Sequence, residues 1–147
     1  MIHVMASSII NAPVSSVWGL IRDFGALGEW LPGVKHCAIE GHDPGDRVGA
    51  IRRLEMGDVG VIREQLLALS DVDHAVTFSI IESALPIWNY HSTITLLPVT
   101  DGNRTFIRWC GQFEATAEHA ADMETRMPTH IYQPAFGRLA ERLRTGA

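Results

Sequence analysis

Residues 104–144 read RTFIRWCGQFEATAEHAADMETRMPTHIYQPAFGRLAERLR. The first part alternates: Ile107, Trp109 and Phe113 oppose Arg108, Cys110 and Gln112, which is the period of a strand with one buried face. From residue 117 the period changes. Ala120, Met123, Met127, Ile131, Ala135, Leu139 and Leu143 make a single apolar stripe at helical spacing. Pro128 and Pro134 sit inside that stripe, and each removes a backbone donor, so a kink or interruption is expected. The segment reads as a last strand followed by a long one-sided helix.

Working back from it, the middle of the chain is a series of short strands and tight turns. VKHCAIEG, RVGAIRRLEM, VIREQLLAL, AVTFSIIE and HSTITLLPV are strand-like. HDPGD, GDVG, SDVDH and TDGN are turns, the last a strong hairpin signal. At the front, IHVMASSII (2–10) fits a strand. NAPVSSVWGLIRDF then switches to helical spacing. Asn11 is a candidate cap, Pro13 suits the first turn, Val14, Val17, Trp18 and Ile21 share a face, and Gly25 ends it. ALGEWLPGV is a second short helix or turn. The expected fold is α+β: a curved seven-stranded antiparallel sheet in meander order, wrapped on a long C-terminal helix. Two short helices separate strands 1 and 2, and a cavity lies at the centre. The whole chain, 1–147, reads as one domain.

Composition excludes several functions. The chain has 147 residues, 46% of them hydrophobic, and a net charge of −5. Such a domain can bury a core without disulfides or metal. No long basic run exists, so a nucleic-acid partner is not expected. The basic RLAERLR end suits a helix C-terminus. Cys37 and Cys110 form no CxxC pair and read as reduced thiols of a cytoplasmic protein. The N-terminus is not a signal peptide, and no run is long enough for a membrane span. The seven histidines form no ligand pair of metal-site spacing, so no metal and no cofactor are expected.

Alternation places Val76, Phe78, Ile80 and Glu82 on one face of their strand, and Tyr90, Ser92, Ile94 and Leu96 on one face of the next. Ile62, Glu64 and Leu66 share a face, as do Val48, Ala50, Arg52, Leu54 and Met56. The inward surface therefore carries Glu64, Tyr90, Ser92 and Glu82 among apolar residues. Glu82 suits a solvated strand end, and Arg52 fits an outer salt bridge as well as it fits a pocket. A buried carboxylate without a partner is very costly. A pocket with a few polar anchors tolerates one. The connector SALPIWNYHST (83–93) is apolar and aromatic where loops are usually polar. That composition suits the lip of a cavity.

INAPVSSVWGLIRDFGALGEWLPGVK near the start, a later G…G turn and RW.G.F near the end resemble the START-like superfamily. This is the helix-grip group of polyketide cyclase/dehydratase-like proteins and lipid carriers (SRPBCC proteins). LALSDVDHAVTFSIIESALPIWNYHSTITL and TRMPTHIYQPAFGRLAERL resemble one branch more closely, the plant abscisic-acid receptors. On that likeness MGDVG (56–60) lies at their gate loop and SALPIW at their latch. Glu64, Tyr90 and Ser92 match pocket positions, Phe78 and Ile80 match apolar lining, and Tyr132 and Phe136 fall on the helix face that closes the cavity. The departures are specific. Leu31 stands for the lysine that anchors the hormone's carboxylate, the proline-containing gate signature is absent, and Trp109 replaces a second acidic group. Binding of that hormone in that way is not expected.

The resemblance implies binding of a small apolar, aromatic, polyketide-like or lipid-like molecule by a carrier or sensor. Its candidate lining is Glu64, Phe78, Ile80, Tyr90, Ser92, Trp109, Tyr132, Phe136, Leu85, Pro86 and Trp88. The enzymatic alternative is a cofactor-independent cyclase or dehydratase using Glu64 as base, Tyr90 as acid or oxyanion donor and Arg52 as charge partner. A third reading makes Pro86 and Trp88 a protein-docking patch. A homodimer is compatible with all three.

Overall fold

The computed structural model describes residues 1–41 and 43–144. His42 and the last three residues, which belong to the turn and domain expectations above, lie outside the described residues. Seven strands form an open antiparallel sheet in the order β1-β7-β6-β5-β4-β3-β2. They are β1 (Ile2–Ile10), β2 (Val34–Ile39), β3 (Ile51–Met56), β4 (Gly60–Ser70), β5 (Ala75–Glu82), β6 (Ile87–Val99) and β7 (Arg104–Ala115). The sheet grips a C-terminal helix that runs from Ala117 to Arg144. The helix-grip arrangement expected from sequence is the one observed.

Local corrections have physical causes. Helix α1 (Val14–Ile21) is capped by the extended Pro13, not by Asn11, and it stops at Ile21. Gly25 instead falls inside a separate 3-10 segment, Phe24–Glu29. β3 begins only at Ile51, because residues 45–50 turn back and Gly49 adopts φ +96°. Val48 is consequently exposed rather than inward. The β6–β7 turn uses Gly102 and Asn103, both at positive φ, as the TDGN signal implies.

The two prolines do not break the last helix. Helix α2 (Ala117–Arg126) passes through a π-helical segment, Met127–Tyr132, into helix α3 (Gln133–Arg144). The wider turn accommodates residues that lack an N–H donor. The Thr129 hydroxyl donates to the Thr125 carbonyl at 2.6 Å within that stretch. Met123, Met127, Ala135 and Leu139 of the predicted stripe are buried against the sheet, with Ile131 and Leu143 half-buried beside them.

The inner sheet face is the core: Val4, Ala6, Leu54, Ile62, Leu66, Val76, Phe78, Ile94, Leu96, Ile107, Trp109 and Phe113 are all buried on it. A β-bulge in β4 between Leu66 and Ala68 puts Leu67 outside and restores the inward phase at Leu69. β5 and β6 pair only from Ala75–Thr95 to Ser79–His91. Beyond Ser79, β5 stays with β4, while Ile87 and Trp88 of β6 stay with β7.

Candidate functional site

The register sets Arg52 on β3 directly opposite Glu64 on β4, and Glu64 opposite Ile80 on β5. Arg52 is 2% exposed and Glu64 7%, so the pair lies inside the molecule. Arg52 Nε donates to Glu64 Oε1 at 2.7 Å, and Nη2 lies 2.7 Å from the same oxygen. Nη1 donates to the Phe24 carbonyl at 3.1 Å. The guanidinium carbon sits 3.9 Å from the Phe24 ring centre and 4.6 Å from that of Phe78. A planar, weakly hydrated cation suits such a slot. Arg52 therefore belongs to the interior, not to an outer salt bridge. Glu82 does the opposite: it is exposed and pairs with Arg63 at 3.1 Å.

A second polar pair lies across the core. Tyr90 and Tyr132 share a hydrogen bond of 2.6 Å between their hydroxyls. Burial pushes both phenols well above the usual tyrosine range. Ser92 Oγ is near enough to Tyr90 to favour its ionised form but makes no hydrogen bond of good geometry. Tyr132 stacks on Trp109 with ring centres 4.1 Å apart and planes at 11°. It reaches that position over Gly111, where a Cβ would collide with the Tyr132 hydroxyl. Trp109 also meets Trp30 edge-on at 5.9 Å.

Between the pairs is a cavity of about 60 Å³. Glu64, Arg52, Tyr90, Phe78, Ile80, Trp109 and Leu85 line it, with Leu27, Leu31, Leu54, Met56, Ile62, Met127 and Ile131. Space of that size admits a few waters or a small chemical group, not a whole lipid or polyketide. A larger vestibule of about 510 Å³ adjoins it and shares Met56, Ile62, Leu85 and Ile131 with it. Pro32, Asp58, Val59, Arg126 and His130 complete the vestibule, so the MGDVG turn stands at the mouth.

Five residues expected at the lining are elsewhere. Ser92 is buried between its register partners Phe78 and Gly111 and lines a different hollow. Tyr132 and Phe136 pack against Trp109 behind the wall. Pro86 is half-buried and touches neither cavity nor vestibule. Trp88 is 52% exposed because β6 already starts at Ile87, so alternation turns it outward, and a bulge at Asn89 (φ +55°) returns Tyr90 to the interior. The connector is thus only Ser83–Pro86, and Leu85 alone forms the apolar lip. Trp88 lines a separate cleft of about 280 Å³ between the diverging ends of β5 and β6, which reaches Ile80 and Tyr90.

Sequence reasoning missed Leu27, Leu54, Met56, Ile62, Met127 and Ile131 as lining residues. Most carried a signal, since Leu54, Met56 and Ile62 fall on inward faces and Met127 and Ile131 on the helical stripe. Leu27 had none. A hollow of about 390 Å³ among His3, Thr77, His91, Ser92, Cys110, Gly111 and Gln112 lies on the outer sheet face, across the sheet from the tyrosine pair. Among the described residues no group of His, Cys, Asp or Glu is arranged to hold a metal ion. No helix among them is long and apolar enough to cross a membrane.

Residues 1–144 match the family described as polyketide cyclase / dehydrase and lipid transport. The chain belongs to that family. Among curated proteins it is similar to the abscisic acid receptor PYL7 of Arabidopsis thaliana, 30% identical over 92 residues. That match takes in 60% of this chain and 42% of the receptor, so the chain spans less than half the length of this relative. A solved structure from Nitrosospira multiformis is 32% identical, with a TM-score of 0.77 over 95% of this chain and 94% of the other. Norcoclaurine synthase from Thalictrum flavum is 16% identical, with a TM-score of 0.77 over 99% and 87%, a likeness of fold alone. A receptor thus resembles this chain in sequence and a synthase in fold, and fold does not choose between binding and catalysis.

Proposed function

We propose that the protein binds a small hydrophobic molecule as a carrier or sensor, in the space between sheet and C-terminal helix. The observation that carries this reading is the buried Arg52–Glu64 pair at the wall of an otherwise apolar cavity that opens into a vestibule. A buried ion pair is weak as a stabilising device, since apolar residues of similar volume do as well or better. Left without an occupant, a cavity of about 60 Å³ would cost about 1.4 kcal/mol more, at about 24 cal/mol per Å³. Both costs make sense if a ligand uses the site. The volumes support a ligand whose apolar body occupies the vestibule and whose narrower end enters the inner cavity. On this reading the chain works as one domain in the cytoplasm without a cofactor. Its ligand is of aromatic, polyketide-like or lipid-like character.

The test is native mass spectrometry of protein purified gently from its own host, against a denatured sample. A copurifying small apolar molecule is expected. If the bare chain is all that is found, and a panel of apolar fluorophores also fails to bind, the binding reading is wrong.

One observation favours a second, enzymatic reading: Glu64 and Tyr90 line the same cavity. A carboxylate and a phenol facing one substrate are the parts of a cyclase or dehydratase. Glu64→Gln should then abolish turnover of a polyketide-like substrate, and unchanged turnover would exclude it.

A further inference from the structure

The polar wall of the cavity is lopsided, and that lopsidedness bears on ligand chemistry. Arg52 is largely engaged, with one N–H on each terminal nitrogen left over. Each of its three nitrogens faces an acceptor, two on Glu64 Oε1 and one on the Phe24 carbonyl, and the rings of Phe24 and Phe78 cover its flat faces. Glu64 differs: both contacts from Arg52 fall on Oε1, and Oε2 has no hydrogen-bond partner among the described residues. Oε2 belongs to a side chain about nine-tenths buried that lines the cavity. A carboxylate oxygen can only accept. The remaining inner polar groups offer less. The Tyr90 and Tyr132 hydroxyls share one hydrogen bond, which uses one of their two protons. Trp109 Nε1 and Ser92 Oγ are sealed from any solvent-sized probe. The rest of the inner wall is aliphatic or aromatic.

We propose that the inner end of the ligand carries a hydrogen-bond donor, best a protonated amine, and that the cavity discriminates against carboxylates. This rests on the binding reading above and gives it a substrate class. An ammonium group would donate to Glu64 Oε2, completing the set of bonds around that carboxylate. A ligand carboxylate would meet the same oxygen as a like charge, with the charge of Arg52 already paired to Glu64.

The experiment is calorimetric titration at neutral pH with three probes of one shape: phenylbutylamine, phenylbutyrate and the uncharged butylbenzene. The amine is expected to bind about ten-fold more tightly than butylbenzene, the scale of one charge-assisted hydrogen bond, and phenylbutyrate more weakly than both. Glu64→Gln should remove about ten-fold of the amine's affinity relative to that of butylbenzene. An Arg52→Met/Glu64→Leu double variant replaces the pair with apolar residues of similar volume and guards against misfolding of the single variant. It should bind butylbenzene and lose the amine preference. Binding of phenylbutyrate as tight as that of the amine overturns the donor rule, as does an amine preference that survives in both variants. If butylbenzene binds in either outcome, the binding reading itself stands. If none of the three probes binds, both fall.

Discussion

The core holds two polar pairs on opposite sides of one small cavity, and they are built on different principles. Tyr90 and Tyr132 are neutral, bonded to each other, and packed among Trp109, Phe113 and Gly111. Arg52 and Glu64 are charged, and the bonds between them all use one carboxylate oxygen. The first pair shares one hydrogen bond and serves packing. In the second, all three guanidinium nitrogens are engaged, while one carboxylate oxygen is left over. Buried polarity in a single core thus has two meanings, told apart by counting which donors and acceptors are spent.

The largest way to break the comparison is alkali. The chain has two tyrosines, and they are this pair. Both phenols are raised in the folded state, so the folded protein keeps protons that the unfolded chain releases above pH about 10. Their contribution is intact below that pH and falls as pH rises, by up to about 1.4 kcal/mol per phenol per pH unit. Phenolate absorbance should therefore appear in one step, together with loss of the fold as seen by circular dichroism. A gradual phenolate signal from folded protein would contradict the buried pair.

Next in size is removal of one charged partner. Glu64→Ala strands a buried guanidinium and should cost about 3–5 kcal/mol in urea unfolding. The Arg52→Met/Glu64→Leu replacement should bring stability back to near wild type. If the single and double variants are equally unstable, packing rather than charge compensation holds this corner.

The tyrosine pair is sharpened by steric means. Gly111→Ala drives a Cβ into the Tyr132 hydroxyl and should cost about 1–3 kcal/mol. Tyr132→Phe removes that oxygen, costs about 1 kcal/mol by itself, and should rescue much of the Gly111→Ala loss. Additive losses in the double variant would place the strain elsewhere. Smallest of all is Trp88→Ser, which lies outside both pairs on an exposed position. It should shift stability by less than about 0.5 kcal/mol.

Much of this was legible before any coordinates. Alternation set Glu64 and Tyr90 inside, and the helical stripe from Met123 to Leu139 marked the gripping face. The stripe even held a clue to the π segment. Steps of four residues repeated from Met123 to Leu139 drift by roughly 160° on an ideal α-helix. A wider turn in the middle takes up part of that drift. What stayed hidden depends on phase and partnership. Trp88 was placed on the lip because the start of β6 was set too late, and one residue reverses a strand's faces. Arg52 was undecided because its position depends on a partner 12 residues away and two phenylalanines from other elements. The small size of the cavity follows from how side chains fill space, which spacing does not encode.

The parting of β5 from β6 divides the sheet into two panels, β2 to β5 and β6, β7 and β1, stitched along a seam that ends at Ser79 and His91. A continuous ladder resists being spread. A short seam can act as a hinge line, because the panels swing apart at the loose end without breaking a bond there. Ile80 and Tyr90, which flank that loose end, also line the inner cavity. At that end the wall of the interior is held by side chains rather than by a β5–β6 backbone ladder.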